Sequence, residues 1–235
     1  MATTSKLIHG HSTPIRIPLD EKALYGDLHV APDSIGIVIF VHGSGSGRFS
    51  PRNRHVAEQL NKHGLATLLL DLLTTEEQQI DSETMQYRFD IPWLAERTQA
   101  VFQWVRGQSE LLQLPVGLFG ASTGAAAAIM TAAAFPNQIR AVVSRGGRPD
   151  LAQEALDRVQ APTLLIVGGR DNVVLDLNRK AMQEMNCIKS LKIIPGATHL
   201  FEEPGTLEEV ASAASDWFAT YMQHPRDVQI ASGWR

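Results

Sequence analysis

Cysteine is nearly absent from this sequence. Cys187 is the one thiol in 235 residues, which rules out an intramolecular disulfide and fits a reducing compartment. Long hydrophobic runs are missing as well: the longest, over residues 35–41 and 65–70, fall far short of the ~20 residues that span a bilayer. Residues 1–8 hold no apolar stretch of signal-peptide length. There is no cationic excess either, since 21 Lys and Arg stand against 25 Asp and Glu, for a formal net charge of -4. Arg48, Arg52 and Arg54 lie close together, but His55 and Glu58 follow them in a helix-like stretch, so the group stays local. No nucleic-acid partner and no membrane partner is therefore expected, and a cytoplasmic location is the default.

What is present is ordinary globular composition, 44% hydrophobic and 20% charged. The length suits one α/β domain, with residues 1–12 and 225–235 expected as a disordered start and a tail. Short apolar runs recur at 35–41, 66–70, 116–119, 141–144, 163–167 and 191–194. Each reads as a strand buried on both faces. Between them lie amphipathic stretches at 54–63, 91–106, 122–135, 175–185 and 206–222, read as helices. This alternation predicts a mostly parallel, doubly wound sheet with helices on both faces. Residues 14–18 and 23–29 have no helix between them and read as an antiparallel hairpin at the N-terminal edge. Residues 74–90 form the one long polar connection, read as a loop that is either solvated or a lid. No internal repeat or linker interrupts the chain.

The most informative segment is Val116-Gly117-Leu118-Phe119-Gly120-Ala121-Ser122-Thr123-Gly124-Ala125. An apolar strand runs into G-x-S-x-G and then into a helix of small residues. A bare G-x-S-x-G is common; between a buried strand and a helix it becomes specific. A serine on so sharp a turn has strained dihedrals, and glycines at 120 and 124 give the clearance that strand and helix need. The helix N-terminus then faces any negative charge that develops at the serine.

A nucleophilic serine needs a base, and the base needs an orienting acid. Downstream, Leu164-Leu165-Ile166-Val167-Gly168-Gly169-Arg170-Asp171 is a buried strand whose loop delivers Asp171. The final strand, Leu191 to Ile194, leads through Pro195-Gly196-Ala197-Thr198 to His199. Parallel strands share their C-terminal edge, so both side chains are expected on the side of Ser122. Asp150 is the competing acid, and Asp171 has the plainer reading of a helix cap. His224, in the tail, follows no strand.

The first parallel strand ends in His42-Gly43-Ser44-Gly45-Ser46-Gly47. Acyl transfer builds an oxyanion, which two backbone N–H groups can hold. The expected donors are Ser44 and Thr123. A glycine-rich loop after a strand also suggests a dinucleotide site, with Asp71 as a ribose ligand. However, Arg48 stands where the third glycine of G-x-G-x-x-G belongs, so no cofactor is expected. His9-Gly10-His11 lacks a third ligand at zinc-like spacing, and no metal is expected.

The motifs His42-Gly43-Ser44-Gly45-Ser46, Gly120-Ala121-Ser122-Thr123-Gly124, Gly169-Arg170-Asp171 and Ala197-Thr198-His199-Leu200-Phe201 resemble those of the dienelactone hydrolase-like branch of the α/β-hydrolases. The similarity runs over residues 35–218. It implies the α/β-hydrolase fold, a catalytic triad of Ser122, Asp171 and His199, no cofactor, and small ester or lactone substrates. Dienelactone hydrolases proper carry cysteine at the elbow; the serine here favours a general carboxylesterase. The chain is also similar to hydrolase domains found joined to phosphoribosyltransferase domains, with no such partner domain expected within these residues.

Candidate substrate contacts are Arg145 and Arg48, each with a salt-bridge or cap alternative, and Phe89 and Trp93, with Tyr87, whose alternative is core packing. The expected activity is ester hydrolysis through an acyl-enzyme. An acyltransferase or peptidase on the same triad, and a ligand-binding receptor that keeps a slow triad, remain as alternatives. A homodimer also remains open.

Overall fold

The structure, a computed structural model, describes residues 10–223. The expectations for His9 and for the tail from His224 lie outside the described residues. Eight strands form one sheet: β1 (Ser12–Leu19), β2 (Lys22–His29), β3 (Ile37–Val41), β4 (Ala66–Leu70), β5 (Val116–Ala121), β6 (Ile139–Arg145), β7 (Thr163–Gly168) and β8 (Lys189–Ile194). Their order across the sheet is β1-β2-β4-β3-β5-β6-β7-β8. The β1–β2 hairpin is antiparallel and β2 runs antiparallel to β4; β3 through β8 pair in parallel. This is the α/β-hydrolase architecture expected from the sequence. Within the stretch 1–12 expected to be disordered, the Gly10 N–H donates to the Val30 carbonyl at 3.0 Å and β1 starts at Ser12.

Helices cover both faces: α1 (Pro51–Lys62), α2 (Thr75–Thr84), α3 (Ile91–Arg106), α4 (Thr123–Ala134), α5 (Ala155–Arg158), α6 (Asn172–Glu184) and α7 (Thr206–Gln223). Successive strand residues point to opposite faces. In β3, Ile37, Ile39 and Val41 pack into the core that includes α3 and α4, while Val38 and Phe40 enter the core with α1 and α7. A strand covered on both sides has no polar positions to alternate, which is why this run is continuously apolar. No helix among the described residues is long and apolar enough to cross a membrane.

The connection over residues 74–90 differs from the loop expected there: it contains α2. Thr74 caps this helix by accepting from the Glu77 N–H, and the Glu77 carboxylate accepts from the Thr74 N–H, a reciprocal capping box. Met85, in the left-handed region at φ 57°, ends it. No hydrophobic stripe announces this helix, because its buried face is acidic. Glu77 and Asp81, four residues apart, are 3% and 2% exposed. Glu77 pairs with Arg97 at 2.8 Å and Lys22 at 3.2 Å, and Asp81 pairs with Arg88 at 2.6 Å. Charge pairing here replaces the apolar contact that patterning detects.

Candidate active site

Ser122 stands between β5 and α4 with φ 52° and ψ -124°. L-residues rarely adopt this region, at a cost of about 1–3 kcal/mol, and such strain collects where function needs it. The surroundings hold the turn in place. The Ser122 N–H donates to the Arg145 carbonyl at 3.1 Å, and the Ser122 carbonyl accepts from the Arg148 N–H at 3.1 Å. Gly124 lies so close to the carbonyls of Val41 and His42 that any Cβ there would collide with them. The glycine is therefore required by the contact between elbow and β3, whatever its φ.

The next two groups come from the loops after β7 and β8. His199 Nδ1 donates to Asp171 Oδ2 at 2.6 Å, joining residues 28 apart in the chain. An ionised carboxylate can only accept, so Nδ1 carries the ring proton and a neutral imidazole keeps its Nε2 lone pair free. The Asp171 side chain is mostly buried and that of His199 partly exposed. Asp150, the rival acid, is held by the Arg148 guanidinium at 2.8–3.3 Å. Gly146, at φ 51°, links the imidazole to the elbow: a Cβ there would lie 3.5 Å from His199 Cε1. It directly follows Arg145, whose carbonyl holds the Ser122 amide.

The loop after β3, residues 42–47, sits directly on the elbow. A Cβ on Gly43 would be 3.0 Å from Ser122 Cβ and 2.9 Å from the Ala121 carbonyl oxygen. Thr123 occupies the first position of α4, where a backbone N–H has no helical acceptor. The Ser44 N–H is engaged differently from the simple expectation. It donates to Thr123 Oγ1 at 3.0 Å.

A family model, described as the dienelactone hydrolase family, matches residues 26–224. The chain belongs to the dienelactone hydrolase family. It is similar to the crystal structure of a dienelactone hydrolase from Anabaena variabilis, with 52% identity and a TM-score of 0.88, covering 90% of this chain and 98% of that one. Est1E from Butyrivibrio proteoclasticus shares the fold at a TM-score of 0.75 and 17% identity, over 90% of this chain and 99% of that one. A Mycobacterium tuberculosis protein carried under the provisional name phosphoribosyl transferase is 55% identical over 200 residues, 85% of this chain. The chain spans only 44% of that protein's length.

In this family member a cavity of about 190 Å³ opens beside the loop after β3. Its walls include Ser44 and Ser46 on one side and Gln78, Asp81, Ser82 and Arg88, from α2 and the turn after it, on the other. The anticipated aromatic residues are elsewhere. Phe89 is 58% exposed, and Trp93 stacks on Tyr87 at 5.0 Å and under the Arg97 guanidinium at 4.3 Å. Neither lines the cavity. Arg48 takes the structural alternative: it pairs with Asp71 at 3.1 Å and lies 4.5 Å from the Phe49 ring centroid.

Arg145 is buried, with its Nε unpartnered and its guanidinium 5.9 Å from the centroid of the Phe201 ring. Burial, with repulsion from Arg52, presses its pKa down to about 10, which leaves it charged at neutral pH. No acidic group among the described residues lies within ion-pair distance of it.

Arg88 and His42 are the positions that reading the sequence missed. Arg88 follows the unrecognised α2, and the T-x-x-E signature at 74–77 was the signal available for that helix. His42 is fully buried and desolvation lowers its pKa, so the ring is neutral. Its Nδ1 donates to the Gly43 carbonyl at 2.8 Å and its Nε2 accepts from the Leu72 N–H at 3.0 Å. The ring thus ties the loop after β3 to the end of β4. Among the described residues, no group of three His, Cys, Asp or Glu side chains is placed to hold a metal ion. Cys187 is partly buried, and burial pushes its thiol pKa up, so it is a poor nucleophile at neutral pH.

Proposed function

We propose that this protein hydrolyses small carboxylic esters or lactones through an acyl-enzyme on Ser122. The observation that carries the proposal is the 2.6 Å bond from His199 Nδ1 to Asp171, which leaves Nε2 available as a base in a chain that also carries a strained elbow serine. As Ser122 Oγ attacks the carbonyl carbon, its proton passes to His199 Nε2, and Asp171 stabilises the resulting imidazolium. The negative charge collects on the former carbonyl oxygen, next to the backbone N–H of Thr123, while the Ser44 N–H is held on Thr123 Oγ1. The ester C–O bond then breaks, with the proton delivered to the leaving oxygen. Water repeats the sequence on the acyl-enzyme and regenerates Ser122.

Taken as the acyl site, the small cavity beside Ser44, whose walls are hydroxyl, amide and charged groups and include none of Ser122, Asp171 and His199, suits a short polar acyl or lactone ring better than a long alkyl chain. Membership of the dienelactone hydrolase family supports the same range. Phosphoribosyl transfer, the activity in the mycobacterial name, is assigned to no residue of this chain.

The test is turnover of p-nitrophenyl acetate together with labelling by a fluorophosphonate. Ser122→Ala should lose the label and lower kcat by roughly three orders of magnitude or more. A purified Ser122→Ala protein with the wild-type rate would falsify the assignment. A panel that varies acyl length and includes lactones then ranks the substrates.

A further inference from the structure

The bond between the Ser44 amide and the Thr123 hydroxyl leaves one hydrogen without a destination. Thr123 Oγ1 uses a lone pair to accept from the Ser44 N–H at 3.0 Å, but a hydroxyl also carries a proton to donate. Thr123 is buried, and among the described residues its hydroxyl makes no hydrogen bond as a donor. Other buried hydroxyls on helices of this chain are satisfied locally. Thr98, Thr131 and Ser215 each donate to the carbonyl four residues back, on Leu94, Ala127 and Ala211, at 2.8 Å. Thr123 cannot do this, because it opens its helix and the residue four back, Phe119, lies within β5. The buried hydroxyl thus has a spent acceptor and an unspent donor, on the residue directly after the nucleophile.

We infer that the Thr123 hydroxyl is an oxyanion donor beside its own backbone N–H, taking the place expected for the Ser44 amide, which holds it, and directed at the oxygen on which negative charge develops. This rests on the acyl-enzyme reading above. Donation from Ser44 to Oγ1 draws electron density from the hydroxyl oxygen and makes its proton a stronger donor. The arrangement lets Ser44 contribute through Thr123 rather than directly. No covalent change is involved: the hydroxyl keeps its proton and shares it with the oxyanion of the tetrahedral intermediate. In the ground state the carbonyl oxygen is a weaker acceptor, so the bond tightens most in the transition state.

The test compares Thr123→Val, which keeps the shape and deletes the hydroxyl, with Thr123→Ser, which keeps the hydroxyl, on p-nitrophenyl acetate. Thr123→Val should lower kcat by roughly one hundredfold, the scale of one lost oxyanion donor, with KM moving less than about threefold. Thr123→Ser should recover most of that loss. Binding of a boronic acid, whose tetrahedral adduct on Ser122 presents an oxygen to the hole, should weaken in Thr123→Val in step with kcat. If Thr123→Val does not fold, Thr123→Ala deletes the same hydroxyl and carries the same expectation. An active, fluorophosphonate-labelled wild type whose hydroxyl-deleted variants keep or exceed its kcat overturns the Thr123 assignment alone. A wild type that neither turns over esters nor takes the label overturns the acyl-enzyme reading and this inference with it.

Discussion

Replacing Arg88 by alanine removes the cation from a carboxylate that is almost wholly shielded from water. Asp81 accepts three hydrogen bonds: from the Tyr87 amide at 2.8 Å, the Arg88 amide at 3.0 Å and Arg88 Nε at 2.6 Å. Arg88 Nη2 also reaches the Asp81 carbonyl at 2.9 Å. Breaking a buried pair by deleting one partner costs about 3–5 kcal/mol, because the remaining charge is left uncompensated. Here two amide donors survive, so the lower end applies, about 3 kcal/mol. For a domain of this size each kcal/mol shifts Tm by about 2–4 °C, so Arg88→Ala should melt about 6–12 °C lower at pH 7.

The pH dependence adds a second check on the same pair. Burial by itself raises the Asp81 pKa, but the Arg88 amide and guanidinium, with the Tyr87 amide, pull it below its ordinary value of 3.8. A carboxylate depressed in the folded state stabilises the protein above its unfolded pKa and loses that contribution as pH falls through the folded value. The gap between wild type and variant should thus hold at neutral pH and close as pH falls below the ordinary value of 3.8. Thermal melts followed by circular dichroism across this range measure both. A Tm shift under 2 °C at pH 7, or a gap that widens with acid, would refute the reasoning.

Three further outcomes are expected. Asp171→Asn should cut kcat by roughly 10⁴ because the ring loses its orienting acceptor, while Asp150→Asn, which disturbs only the Arg148 pair, should change it by about threefold or less; equal losses in the two esterase assays would reopen the choice of acid. His42 has a folded pKa below its ordinary 6.5, so its contribution to stability is present above pH 6.5 and lost as pH falls through the lower folded value. His42→Gln should therefore narrow its Tm deficit between about pH 7.5 and 5, and a deficit that does not depend on pH would count against the neutral bridge. Ser122→Gly releases a φ of 52° that alanine retains, so it should be more stable than Ser122→Ala by about 1 kcal/mol while equally inactive; a chemical denaturation series that ranks them the other way would remove the strain argument.

Local signals along the chain were enough for the sheet, the elbow turn and the pairing of Asp171 with His199. Continuous apolar runs such as 35–41 report burial on both faces. Glycines packed around a serine report a close approach of backbone to backbone, as Gly124 makes with Val41 and His42. Parallel strands carry the residues after them to one edge, so the positions of Asp171 and His199 follow from strand order alone. These features depend on neighbours a few residues away and on the sheet's own symmetry.

The remainder was decided by contacts between distant segments. The acidic inner face of α2 has no hydrophobic period to detect, and it is stable only because Lys22, Arg88 and Arg97 meet Glu77 and Asp81 in space. The same folding decision puts Arg88, rather than Phe89 or Trp93, on the cavity wall. The state of a single proton is likewise tertiary. His42 is neutral because it is buried between Gly43 and Leu72, and the Thr123 hydroxyl is committed because Ser44, 79 residues earlier, donates to it. Patterning along a chain records which side chains avoid water; which polar groups then satisfy one another depends on distances that exist only after the chain has folded.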